Sequence, residues 1–130
     1  MSNLSVKYHG ESIKLDEFYK SLLFQRIMDG NFNRDERDVL LVVFRKTIHF
    51  DKWNDRLAIY NFSQLVGICQ SKLRRTITQL EAKGLIDVER SSGGRSDSTL
   101  KYHQFSLSDE LIFIVSDRWL EIKEENGYDL

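Results

Sequence analysis

The side chains best equipped for chemistry in this sequence cluster between Gln70 and Gln79, in the stretch FSQLVGICQSKLRRTITQLEAKG from Phe62 to Gly84. Leu73, Ile77 and Leu80 recur there at three- and four-residue steps, so one stripe of a helix faces a core. The opposite face carries Ser71, Arg75 and Thr78, flanked by Lys72, Arg74 and Gln79, with Gln70 at the helix start and no carboxylate before Glu81. Guanidinium, ammonium, hydroxyl and amide groups grouped in this way donate to phosphate oxygens and read base edges in a major groove. The alternative is an ordinary solvated helix face, and the surrounding elements weigh between the two.

Those elements favour nucleic acid. A short helix, Asn61 to Val66, precedes the polar-faced one, and Gly67 supplies the backbone freedom that a tight turn between two helices needs. After Gly84, Leu85 to Arg90 alternates apolar and polar, the Gly/Ser loop Ser91 to Ser98 follows, and Leu100 to Leu107 alternates again. Two strands joined by a flexible loop make a hairpin. Helix, turn, helix and hairpin is the order of a winged helix-turn-helix, a mainly α fold with a small sheet. Arg95 on the loop and Lys101 on the return strand extend the cationic set. Leu57-Ala58-Ile59 is expected as the third strand.

Charge is distributed in keeping with this. The net charge is −1, but residues 1 to 69 hold ten basic and nine acidic side chains, residues 70 to 107 seven and four, and residues 108 to 130 two and seven. The positive excess lies on the proposed recognition helix and wing, and the acidic excess on the tail.

Composition and length exclude several classes. The 130 residues suit a single domain with one core, residues 1 to 130, of which residues 11 to 107 form the principal part. No apolar run approaches membrane-span length and no signal pattern opens the chain, so the cytoplasm is the expected location. One cysteine, Cys69, excludes an internal disulfide, and three scattered histidines show no metal-ligand spacing. No nucleophile-base set or phosphate loop appears, so neither an enzyme nor a cofactor is expected.

The rest of the chain reads as scaffold. Residues 1 to 10 are expected to be frayed or weakly strand-like. Leu15, Phe18, Tyr19, Leu22, Leu23 and Ile27 describe an amphipathic helix ending before Gly30. Asn33 stands three residues before Glu36, a capping-box spacing that opens a helix from Asp35 to about Ile48. This helix carries Val39 to Phe44, apolar on nearly all sides, and is expected at the centre of the fold. Arg45 and Lys46 close it, suited to a helix C-terminus and also candidate phosphate contacts. Phe50 and Trp53 are expected to tuck against the core. Cys69 takes the N-cap place of the recognition helix as a small buried hydrophobe. Ser108-Asp109-Glu110 starts a final helix striped by Leu111, Val115, Trp119 and Ile122.

With these residues in place, the chain resembles the N-terminal domain of the lambda-type phage replication protein O family. Arg45-Lys46-Thr47 followed by Phe50, a polar stretch and Asp55-Arg56, then the helix-turn-helix and Glu81-Ala82-Lys83-Gly84-Leu85-Ile86, carry the resemblance over roughly residues 13 to 107. The Arg-Lys-Thr segment is its most specific part. His49 stands where the family has Gly, Val66 replaces a Thr, and Cys69 replaces a Ser cap. The resemblance implies a winged helix that binds repeated sites at a phage replication origin, usually as a dimer, with Gln70, Ser71, Lys72, Arg74, Arg75 and Thr78 facing the groove and Arg95 as a wing contact. The family's helicase-recruiting region has no counterpart before Leu130, which leaves a stand-alone derivative or a fragment; the acidic tail favours a true end.

Two functions are therefore expected to compete. One is sequence-specific binding of double-stranded DNA at a replication origin or operator, without membrane association. The other is a protein-interaction module, such as a phage-encoded inhibitor or regulator of a host system. In it Leu15, Leu22, Leu111, Val115 and Trp119 would contact a host or phage protein or a second copy of the chain. Packing of the first helix on the last within one molecule is the plainer account of those five residues.

Overall fold

The computed structural model describes residues 4–8, 10–90 and 102–125. The order of elements is β1 (Ser5–Tyr8), β2 (Glu11–Lys14), α1 (Glu17–Asp29), α2 (Arg34–Lys46), a single 3-10 turn (Ile48–Phe50), β3 (Asp55–Ala58), α3 (Ile59–Val66), α4 (Gln70–Ala82), β4 (Ile86–Glu89), β5 (Tyr102–Leu107) and α5 (Asp109–Glu125). Helices α3 and α4 with the three-stranded antiparallel sheet β3-β5-β4 form a winged helix-turn-helix. Helices α1, α2 and α5 build the remainder of the core.

Local chemistry sets most helix ends. Asn33 Oδ1 accepts from the Glu36 N–H at 2.8 Å and Glu36 Oε1 accepts from the Asn33 N–H at 3.1 Å, so the expected capping box is complete. Asp16 caps α1 by accepting from the Tyr19 N–H, which puts Leu15 ahead of the helix, though still fully buried. Gly67 ends α3 at φ +83, a left-handed conformation that any Cβ would strain. The Ser108 hydroxyl accepts from the Leu111 N–H at the start of α5. Ile59 opens α3 instead of closing β3, because the third strand ends at Ala58.

The first and last helices pack against each other. Tyr19 donates to the Ile112 carbonyl at 2.6 Å and lies 2.7 Å from the Ser116 hydroxyl, all three being buried, while its ring approaches Trp119 at 6.5 Å. Leu15, Leu111, Val115 and Trp119 are consequently buried within one molecule, and Leu22 is half-buried.

Two sequence-based expectations need correction, at Phe50 with Trp53 and at Cys69. For the N-terminal residues the strand-like alternative holds: β1 pairs with β2, with Val6 opposite Ile13 and Ile13 in the core. Isolated hairpins are marginal, so this one is held by its burial on the body of the fold. Phe50 is 63% exposed and Trp53 38% exposed, not tucked inward. Thr47 is the reason: its carbonyl accepts from both the Phe50 and Lys52 N–H groups at 3.0 Å, which curls the chain outward, and Phe50 packs edge-on against the exposed His49. Cys69, expected to be buried, is exposed.

Candidate nucleic-acid interface

Helix α4 divides as its sequence period requires. Leu73, Thr76, Ile77 and Leu80 are buried, while Ser71, Lys72, Arg74, Arg75, Thr78 and Gln79 are exposed and Gln70 is half-buried at its first position. Burial of three aliphatic side chains, each contributing roughly 1.5–3 kcal/mol, fixes the rotation of the helix and so decides which side chains face outward.

The exposed groups differ in what holds them. Lys72 reaches Asp35 in the first turn of α2 at 3.3 Å, which fixes the ammonium near the start of α4. Thr78 donates its hydroxyl proton to the Arg74 carbonyl at 3.0 Å, leaving its oxygen lone pairs and methyl group to face outward. At the N-cap, Cys69 gives α4 no side-chain hydrogen bond. Its Sγ lies 3.5 Å from the Ser71 hydroxyl, and that contact together with the Lys72 N–H lowers the thiol pKa against a smaller opposing effect of desolvation.

The far end of α4 is anchored to α2. Lys83, its C-cap, donates to Glu36 Oε2 at 2.5 Å. Burial raises the Glu36 carboxyl pKa, but the hydrogen bonds from Lys83 and the Asn33 backbone, with the Lys83 charge, outweigh it and hold the group below the usual carboxylate range. Helix α4 is thus positioned by its buried stripe and by ion pairs to α2 at Lys72 and Lys83.

Beside α4 stands the root of the wing. Phe105 faces Val88 across the β4-β5 pair, and alternation puts Ile86, Val88 and Arg90 on one face of β4 and His103, Phe105 and Leu107 on the same face of β5. Arg90, just past β4, is gripped by both Glu81 oxygens, at 3.0 and 2.5 Å. The hydrogen bond from Glu81 raises its pKa, burial opposes, and the Glu81 charge adds to the rise, so the guanidinium stays charged. Arg74, Thr78, Arg90 and His103 meet around one cleft between helix and strands. Arg90 and His103 escaped the sequence-based site, although strand alternation already put them on the face that looks toward α4.

Arg45 and Lys46 occupy the last turn of α2, exposed and half-buried respectively. They lead into β3, in which Asp55 pairs with Phe105 and Ala58 with Tyr102. The same segment also makes internal contacts. Thr47 is fully buried and donates to the Val43 carbonyl at 2.6 Å, and the buried Lys20 binds Asp51 at 2.9 Å and the His49 carbonyl at 3.4 Å. Arg95 and Lys101 lie outside the described residues.

A family model described as Bacteriophage replication protein O matches residues 17–102, from the first residue of α1 to the first residue of β5. Among solved structures, a MarR-family transcriptional regulator from Silicibacter pomeroyi aligns with a TM-score of 0.47 at 16% identity, covering 84% of this chain and 64% of that one. A possible transcriptional regulator from Methanosarcina mazei Go1 aligns with a TM-score of 0.43 at 12% identity, covering 96% of this chain and 95% of that one. The chain spans about two thirds of the length of the first of these regulators. No curated protein matches.

Proposed function

Because this chain belongs to the bacteriophage replication protein O family, we propose that it binds double-stranded DNA through α4 and the wing, in a sequence-specific manner, at a phage-type replication origin or operator. The observation that carries this reading is the outer face of α4. Ser71, Arg74, Arg75 and Thr78 are exposed together on a helix whose opposite stripe is buried, directly beside a two-stranded wing. Lys72 and Arg74 make phosphate contacts that set the register, Arg95 and Lys101 add contacts from the wing, and Arg75, Ser71, Thr78 and Gln70 read bases. Binding, not catalysis, is the proposed activity, and the cytoplasm its place; among the described residues no helix is long and apolar enough to cross a membrane.

The test is selection from random duplexes at two salt concentrations. A recovered motif with affinity that falls steeply as salt rises supports the proposal, and a repeated or palindromic site adds dimer geometry. Salt-dependent binding without a motif reduces it to a nonspecific binder. No binding at low salt overturns it.

A second reading has an observation of its own. Phe18, Phe24 and Met28 on α1 and Phe113 and Ile114 on α5 are each between 38% and 46% exposed. Such apolar groups on the outer helices suit a contact with a second copy or with a phage or host protein. Light scattering after size exclusion decides the homodimer part: a 15.3 kDa species at high concentration removes it.

A further inference from the structure

The cleft between α4 and the wing root has a volume of about 180 Å³. Its floor is apolar, from Ile77 and Phe105, both buried. Its rim is polar, from Arg74, Thr78, Arg90 and His103. Three of these rim residues, Arg74, Thr78 and Arg90, are exposed, and His103 is half-buried with its ring 6.4 Å from that of Phe105.

The rim residues come from three separate segments. Arg74 and Thr78 are one turn apart on α4, Arg90 is the last described residue before the wing loop, and His103 lies on the return strand. Two arginines and a histidine line a space large enough for a tetrahedral oxyanion. The carboxylate of Glu81 already grips Arg90 with both oxygens, so one anionic group of forked geometry is known to fit that guanidinium.

We propose that this cleft seats one phosphodiester group of the bound duplex, held jointly by Arg74, Arg90 and the His103 imidazole, with Glu81 holding Arg90 in place until the phosphate displaces it. The inference rests on the DNA-binding reading above and adds to it residues and a location. A duplex lying on Ser71, Arg75 and Thr78 brings its backbone between helix and wing, where the cleft opens. Because a phosphate contact is indifferent to sequence, the site acts on every duplex and sets where the helix stands in the groove.

The experiment uses fluorescence anisotropy with the full chain and a labelled random-sequence duplex of about two helical turns, titrated over a range of salt. Arg74→Gln and Arg90→Gln should each weaken binding several-fold and flatten the dependence of log affinity on log salt. The double variant should lower that slope by about 0.9, the value for one phosphate, and not by about twice that. His103→Phe should weaken binding, since it removes a hydrogen-bond donor to the phosphate. Glu81→Gln should tighten binding, because it removes the competing carboxylate; a purely structural Glu81-Arg90 pair predicts the reverse. Thermal melts identify any variant that fails to fold, and Glu81→Gln together with His103→Phe still decides the matter if Arg90→Gln does.

Wild-type affinity and slope in Arg90→Gln and His103→Phe would overturn the cleft while leaving DNA binding intact. Inorganic phosphate binding to these residues, with duplex affinity unchanged in the variants, would overturn it as well. Failure of the wild-type chain to bind the duplex at low salt would overturn both readings, and shows before any variant is made.

Discussion

Lys83, at the end of α4, donates to a carboxylate oxygen of Glu36, a residue only 2% exposed in the first turn of α2, and the same carboxylate closes the Asn33 capping box with its other oxygen. One side chain therefore starts one helix and anchors the end of another. Since α4 carries the proposed recognition surface, this pair ties the placement of that surface to the centre of the fold.

Replacing Glu36 with Ala removes the capping interaction and the ion pair together, and should cost about 2–4 kcal/mol in urea unfolding. Glu36→Gln keeps the size of the side chain and should lose less. Its pH behaviour is a separate check. The folded-state pKa of Glu36 lies below its unfolded value, so its contribution is fully present above the unfolded value of about 4.3 and is lost as pH falls through the lower folded value. Stability measured from neutral pH into acid should fall more shallowly in Glu36→Gln than in the wild type.

Lys20 and Asp51 form a second buried connection, 2.9 Å long, with the Lys20 side chain 8% exposed and that of Asp51 29% exposed. Asp51 adopts φ +59, a left-handed conformation, and the ion pair helps to hold it there. A double-mutant cycle with Lys20→Met and Asp51→Asn should return a coupling of about 1–2 kcal/mol. A coupling near zero would make the pair a bystander to the turn.

Tyr19→Phe removes a hydroxyl with two buried partners, the Ile112 carbonyl and the Ser116 hydroxyl. The expected loss is about 1–3 kcal/mol by chemical denaturation. Ser116 also donates to the Ile112 carbonyl at 3.1 Å. That second donor should moderate the loss, and Tyr19→Phe combined with Ser116→Ala should exceed either alone.

Arg75 is exposed on the outer face of α4, so Arg75→Ala should leave the melting temperature nearly unchanged. On the selected DNA site it should cost about 1–3 kcal/mol if the guanidinium reads a guanine. An equal loss on every sequence would assign Arg75 to phosphate instead. Lys72→Ala should weaken all duplexes alike and reduce the salt slope by about one.

The sequence by itself determined the local elements and their order. The three- and four-residue steps of Leu73, Ile77 and Leu80 set which face of α4 is free, the Asn33 to Glu36 spacing located a helix start, and alternation on either side of a Gly/Ser loop marked the wing. The resemblance drawn from the Arg-Lys-Thr segment and the helix-turn-helix agrees with the family match over residues 17–102. These features are legible because backbone geometry imposes periods of 3.6 and 2 on neighbouring residues. Only the tertiary structure decided which distant residues meet. It paired β1 with β2, turned Phe50 outward, put Lys20 against Asp51 and Glu36 against Lys83, and brought Arg90 and His103 to the flank of Arg74. Burial and ion pairing depend on contacts across tens of residues, and no local period encodes which partner waits at the other end.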